Sequence, residues 1–139
     1  MNEEIQIILE TTEKVLQKNI NHQLRQNINQ NNNDIINLWN EVEELGLPKI
    51  AVKEKFDGFN LRFASVLPII QLSNSLGAPI PLSETILCNY ILSECDINPQ
   101  AGMITFANIA KNIKISENEL SGELISVPYL NLTDKIMFI

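Results

Sequence analysis

The sequence contains few of the residues that build metal centres, disulfide frameworks and nucleic-acid interfaces. Its 139 residues include two cysteines and one histidine, which is little material for a metal site or a disulfide scaffold. Lysine and arginine number 10 against 17 acidic residues, so the net charge is −7. Because nucleic acids and anionic membrane surfaces bind clustered basic side chains, we expect neither as a partner.

Long apolar runs and a basic start are also missing. No stretch approaches the ~18 consecutive apolar residues that a membrane span requires. The chain starts with the acidic segment Met1–Glu4, whereas secretory and mitochondrial leaders start with basic residues. We therefore expect a cytoplasmic protein with no membrane partner. The hydrophobic fraction of 45% is enough for a packed core, in one domain or in one domain plus part of a second.

The cysteines and the histidine form no recognisable chemical site. Cys88 and Cys95 lie on one predicted helix, and at ~1.5 Å per residue their Cα atoms are ~10 Å apart. A disulfide requires less than ~7 Å, so we expect two buried small side chains in a reducing compartment. His22 has no cysteine or carboxylate at ligand spacing, and we assign it no functional role. No metal site is expected.

Apolar residues recur every three or four positions in the first part of the chain, which predicts amphipathic helices. The first helix is predicted from Ile5 to Ile20. Asparagine and glutamine dominate residues 19–33, and we expect the run Asn29–Asn33 to be a loop because asparagine side chains compete for backbone hydrogen bonds. The second helix is predicted to begin at Asp34, as its cap, and to end at Gly46.

Three further features define the rest of the helical region. Trp39 lies on the apolar stripe of the second helix, where we expect a core anchor rather than a ligand platform. The segment Leu61–Leu76 is apolar on nearly every side, which indicates a buried helix that either kinks or begins at Pro68. Ser83 is expected to cap a fourth helix.

Beyond Asn98 the apolar residues change to the period of two that is typical of strands. The predicted strands are Met103–Phe106, Ile109–Ile115, Leu120–Val127 and Lys135–Ile139. The fold class is therefore α+β, with an N-terminal helical bundle over residues 1–98 and a small, incomplete antiparallel β layer over residues 99–139. The last strand is apolar after Lys135, so we expect it to contact another chain or further residues of a longer gene product.

Four segments, in order along the chain, resemble the acyl-CoA dehydrogenase family. Leu38–Leu47 is similar to the family's Leu-Trp…Leu-Ala-Glu-Leu-Gly helix, and Ile50–Leu61 is similar to the Val-Pro-Glu-Glu-Tyr-Gly-Gly-Leu-Gly-Leu segment that follows it. Ala78–Thr85 resembles the connector into the next helix. The segment from Leu120 to Ile136 resembles the strand pair Leu-x-Gly…Val-Pro…Ala-Asp-x-Leu.

This resemblance implies a helical N-terminal domain and the start of a central β-domain, which a C-terminal helical bundle follows in the family. It implies FAD as the cofactor and an acyl-CoA thioester as the substrate, dehydrogenated between its α and β carbons. The flavin takes the hydride, and a glutamate of the C-terminal bundle takes the proton. Of the family's flavin-facing loop, Thr-Glu-Pro…Gly-Ser-Asp, only Thr105 is present, and it is the one cofactor-binding residue that the resemblance supplies.

The chain departs from the family pattern at residues that carry the chemistry. Ser126–Pro128 takes the place of the flavin-contacting Trp-Ile-Thr triplet, so the ring and the threonine hydroxyl are both replaced. The glutamates on the predicted helices are expected on solvated faces rather than as substitutes for the missing base. These are Glu41, Glu43, Glu44 and Glu84. We therefore assign no catalytic residue.

The resemblance implies the N-terminal part or a degenerate subunit of a FAD-dependent acyl-CoA dehydrogenase, inactive alone. Such a chain would form a homo-oligomer, or a hetero-oligomer with a family subunit, and would meet acyl-CoA only through the complete enzyme. One alternative is a non-catalytic interaction module that docks onto a full-length family member. Another is an unrelated domain of helices and strands.

Overall fold

The computed structural model describes residues 3–26 and 32–138, and its fold class is α+β, as the sequence predicted. The helices are α1 (Glu3–Asn19), α2 (His22–Gln26), α3 (Asn32–Glu44), α4 (Phe63–Ser75) and α5 (Leu82–Glu94). The strands are β1 (Ile104–Phe106), β2 (Ile109–Ile115), β3 (Leu120–Ile125) and β4 (Lys135–Met137). Short 3₁₀ turns at Leu47–Lys49 and Glu54–Phe56 connect α3 to α4.

The hydrophobic core lies between the helices. It is built from the apolar stripes of α1 and α3 together with α4, α5 and the segment that follows α3. Fully buried members are Leu16, Ile35, Leu38, Val42, Leu47, Ile50, Val66, Ile69 and Leu82. Trp39 is 3% exposed within this cluster, so its predicted role as a core anchor is confirmed.

The asparagine-rich segment is more helical than the sequence predicted. Asn32 and Asn33, the end of the predicted loop Asn29–Asn33, lie in α3, and residues 29–31 lie outside the described part of the chain. Residues His22–Gln26 form α2, because the side-chain oxygen of Asn21 accepts a hydrogen bond from the Leu24 N–H at 2.8 Å and Leu24 is buried in the core. The tendency of asparagine to bond the backbone therefore starts a helix here.

The predicted second helix, α3, begins two residues earlier than expected. Asp34 lies in its first turn instead of capping it, where a negative charge still interacts favourably with the helix dipole. Gly46 follows the helix at φ +73°, which confirms the predicted left-handed terminator. A β-carbon at Gly46 would also lie 2.5 Å from a ring carbon of Phe59, so both conformation and space require glycine.

Two predictions for α4 and α5 need correction. Pro68 lies inside α4, which begins at Phe63, so the helix does not start at the proline. The helix is also not buried on every side, because Leu67 is 45% exposed. Ser83 does not cap α5, because the cap position is Pro81 and the Ser83 hydroxyl donates to Glu84 Oε2. The rigid Pro81 is tolerated at this position because the N–H groups of the first helical turn have no carbonyl partner within the helix.

The four strands form two separate pairs rather than one antiparallel layer. β2 and β3 pair antiparallel as a hairpin, whereas β1 and β4 pair parallel, with Thr105 opposite Ile136. The pairing is parallel because the hairpin lies between β1 and β4 in the sequence and returns the chain to the start of β1. The predicted strand positions are confirmed, although β3 ends at Ile125 and β4 ends at Met137.

Buried polar contacts join the strand region to the helices. Asn89 of α5 is fully buried, its amide donates to the carbonyls of Pro48 and Gln100, and its oxygen accepts the Gln100 N–H. Glu43 of α3 accepts a hydrogen bond from the Gly102 N–H at 2.8 Å. The start of β1 is therefore positioned directly by the helical core.

Candidate interaction surface

One edge of β1 is closed by helix α5. The hydroxyl of the fully buried Thr85 accepts the Ile104 N–H and donates to the Ile104 carbonyl, both at 3.0 Å. One turn further on, Cys88 Sγ donates to the Thr105 carbonyl at 3.8 Å. Through Thr85, the helix satisfies the Ile104 groups that a neighbouring strand would otherwise bind, which is one way that proteins protect a sheet edge.

The outer edge of β4 has no such cover. Within residues 3–26 and 32–138, β1 is its single strand neighbour. The Ala107 N–H donates to the Met137 carbonyl at 2.8 Å, so Met137 directs its backbone groups toward β1. Backbone groups of consecutive residues in a strand point to opposite edges, and those of Ile136 therefore point outward.

An apolar cleft of about 280 Å³ lies beside this pair of strands. Its walls come from α5, from the end of β1 with the residues after it, and from the end of β4. The lining residues are Leu87, Cys88, Ile91, Phe106, Ala107, Asn108, Met137 and Phe138. Asn108 is the one lining residue with an amide or charged side chain, so the cleft suits apolar groups rather than ions.

The Cys88 thiol has low reactivity although it lines this cleft. Burial raises the pKa of its thiol to about 11, with a smaller contribution from the negative charge of Glu84. The thiol is therefore protonated at neutral pH and is a poor nucleophile. Cys95 follows α5 and is exposed, so the prediction that both cysteines are buried is wrong for Cys95.

Phe138 lies where three cavities meet. Besides the apolar cleft, it lines a cavity of about 270 Å³ with Ile104 and Ile136, and one of about 200 Å³ against the β2–β3 hairpin. Its side chain is half-buried. All three are open to solvent, so Phe138 borders surface clefts and not enclosed voids.

The β2–β3 hairpin has one apolar face and one face that mixes charged, polar and apolar side chains. The register pairs Ile115 with Leu120 and Ala110 with Leu124, and these side chains point to one side. An irregularity between Lys111 and Lys114, with Asn112 at φ +54°, places Ile113 on the same side. We call Ala110, Ile113, Ile115, Leu120 and Leu124 the apolar hairpin face. The opposite face carries Ile109, Lys111, Lys114, Ser121, Glu123 and Ile125.

Much of the apolar hairpin face is open to solvent. Ile115 is 81% exposed and Leu120 is 59% exposed, whereas Ile113 and Leu124 are half-buried toward the cavity at Phe138. Glycine is favoured at 122, where φ is +152° and a β-carbon would lie 3.1 Å from both the Ile113 Cα atom and the Lys111 carbonyl oxygen. An amphipathic hairpin with its apolar side exposed is a typical protein-docking surface.

Thr105, the predicted cofactor contact, faces inward in this structure. The residue is fully buried, and its hydroxyl donates to the Pro128 carbonyl at 2.7 Å. This bond holds the loop between β3 and β4, in which Ser126 and Tyr129 have positive φ angles of 59° and 54°. In this geometry the Thr105 hydroxyl is not offered to a flavin, and its assignment to cofactor binding stays a prediction.

The candidate carboxylates do not converge on a site. Glu43 and Glu44 are exposed, as predicted, whereas Glu41 and Glu84 are half-buried. Glu41 accepts a hydrogen bond from Lys18 Nζ at 3.0 Å, and this bond lowers the pKa of the Glu41 carboxyl. Glu84 accepts the Ser83 hydroxyl. Nothing in this arrangement resembles a paired acid and base.

The part of the chain that the structure describes also lacks a candidate metal site. It holds no cluster of three or more histidine, cysteine, aspartate or glutamate residues able to bind a metal. His22 is exposed and pairs with Gln26 through its Nε2 atom. Among the described residues, no helix has the length and apolarity to cross a membrane.

Comparison with protein families, curated proteins and solved structures finds no match to this chain. The resemblance to acyl-CoA dehydrogenases therefore depends on the four sequence segments alone. The geometry adds an independent feature that sequence reasoning found only in part: an open β layer whose apolar surface includes the hairpin as well as the last strand.

Proposed function

We propose that this chain is the N-terminal part or a degenerate subunit of an acyl-CoA dehydrogenase-type assembly, without activity of its own. Its helical core serves as a folded platform, and its β region is completed by residues of another segment or subunit. In the complete assembly, cytoplasmic by the composition of the chain, FAD and an acyl-CoA thioester would be bound mainly by that other part.

The exposed apolar hairpin face carries this proposal. Ile115 and Leu120 are mostly exposed to solvent, and an isolated two-stranded hairpin is marginally stable in water. Burying such side chains against further protein would contribute about 1.5–3 kcal/mol each. One of the three cavities at Phe138 lies next to this face, and the other two lie beside β1 and β4, so there is room for further protein around the β region.

The cofactor part of the proposal rests on resemblance alone, and the residues present do not form a flavin site. Thr105 is buried and its hydroxyl is engaged by Pro128. We therefore assign no step of the flavin chemistry to residues of this chain. Its contribution in the assembly would be to hold the β layer on the helical core.

The direct test is to purify the chain alone and mixed with any acyl-CoA dehydrogenase-like polypeptide that is encoded beside its gene. Size-exclusion chromatography with simultaneous flavin absorbance should give a colourless chain alone and a stoichiometric yellow complex after mixing. Elution as separate species would contradict the proposal.

Two matched variants locate the contact on the hairpin. Leu120→Ser alters the apolar hairpin face and should weaken the complex, whereas Ile109→Ser alters the opposite face and should leave it unchanged. Both residues are partly exposed, at 59% and 44%, so both variants should fold. Equal effects would contradict a contact through the apolar face.

The alternative is a non-catalytic module that docks onto a complete acyl-CoA dehydrogenase. The inward orientation of Thr105 favours it, because the chain then has no need to contact the cofactor. Under this alternative the partner alone binds flavin and oxidises acyl-CoA. Under the first proposal neither polypeptide does so until the two are mixed.

A further inference from the structure

We draw no further inference here: the strongest candidate, the apolar cleft of about 280 Å³ between α5 and the ends of β1 and β4, is an unpartnered apolar surface, and nothing in the structure shows what covers it.

Discussion

The helical and β regions of this protein use similar apolar side chains with opposite results. In the helical region, Leu38 and Ile69 are fully buried in one core. In the hairpin, Ile115 and Leu120 are mostly exposed. A helix satisfies its own backbone and needs only one buried stripe, whereas a hairpin leaves two edges and a face to be covered. Apolar content alone therefore does not ensure that a region buries its own apolar side chains.

The largest effect should come from removing core volume in the helical region. Leu38→Ala deletes a fully buried side chain of α3, and we expect a loss of ~2–5 kcal/mol in the free energy of unfolding by urea denaturation. Leu67→Ala is the matched control on the exposed side of α4, with an expected change within about 0.5 kcal/mol. Equal losses would remove the basis for calling the helical region the core.

The two cysteines should react very differently with a thiol reagent. Cys88 is buried and its pKa is raised to about 11, whereas Cys95 is exposed. At pH 8 we expect one thiol per native chain to react, with Cys88 at least about a hundredfold slower because its thiolate is scarce. The raised pKa means that Cys88 reacts faster as the pH approaches 11. Cys95→Ser should remove the fast phase, and a remaining fast phase would show that α5 does not protect the cleft.

Removing the Thr85 hydroxyl, which closes the β1 edge, should have an intermediate effect on the free energy of unfolding. Thr85→Val keeps the shape of the side chain but leaves the buried N–H and C=O of Ile104 without their partner. We expect a loss of ~1–3 kcal/mol in unfolding free energy. Thr11→Val, at a more exposed hydroxyl of α1, should change it by less than about 0.5 kcal/mol. A neutral Thr85→Val would mean that α5 does not close this edge.

Substitution on the hairpin should hardly affect the stability of the free chain. Ile115→Ser changes a side chain that is 81% exposed, so the expected change in unfolding free energy is within about 0.5 kcal/mol. The same variant should reduce aggregation during heating, because it removes an exposed apolar group. A loss above about 1 kcal/mol would indicate that the hairpin face is already packed.

The smallest effect concerns an exposed ion pair at the end of α5. The Lys55 ammonium donates to Asp96 at 2.6 Å and, with Lys53 nearby, lowers the pKa of the Asp96 carboxyl. The ion pair therefore contributes fully above about pH 4, the ordinary range for aspartate, and its contribution is lost as the pH falls through the lowered value. An NMR titration should show the Asp96 pKa rising in Lys55→Met. An unchanged value would contradict the pairing.

The sequence predicted the helical core well because its signals are local. The stripe that contains Trp39 and the terminator Gly46 follow from spacing and from conformational preference, and both were found. The helix in the asparagine-rich segment was missed because its cap, Asn21, has the same chemistry that favours loops.

The arrangement of the strands was harder to predict because it depends on distant contacts. The sequence located β1 and β4, but their parallel pairing depends on which strands meet after the hairpin. The closed β1 edge depends on Thr85, which precedes Ile104 by 19 positions and carries no motif. To predict the exposed hairpin face, one has to know that Ile115 pairs with Leu120, and alternation alone does not determine this register.

Hydrogen exchange of the free chain, followed residue by residue, tests the contrast between the two regions most directly. We predict that amides in α3 and α5 exchange only through global unfolding. Those of β2 and β3 should exchange through local opening that requires much less free energy. The β2 and β3 amides should become protected when the partner polypeptide is added. Hairpin amides as protected as those of α3 in the chain alone would contradict the account.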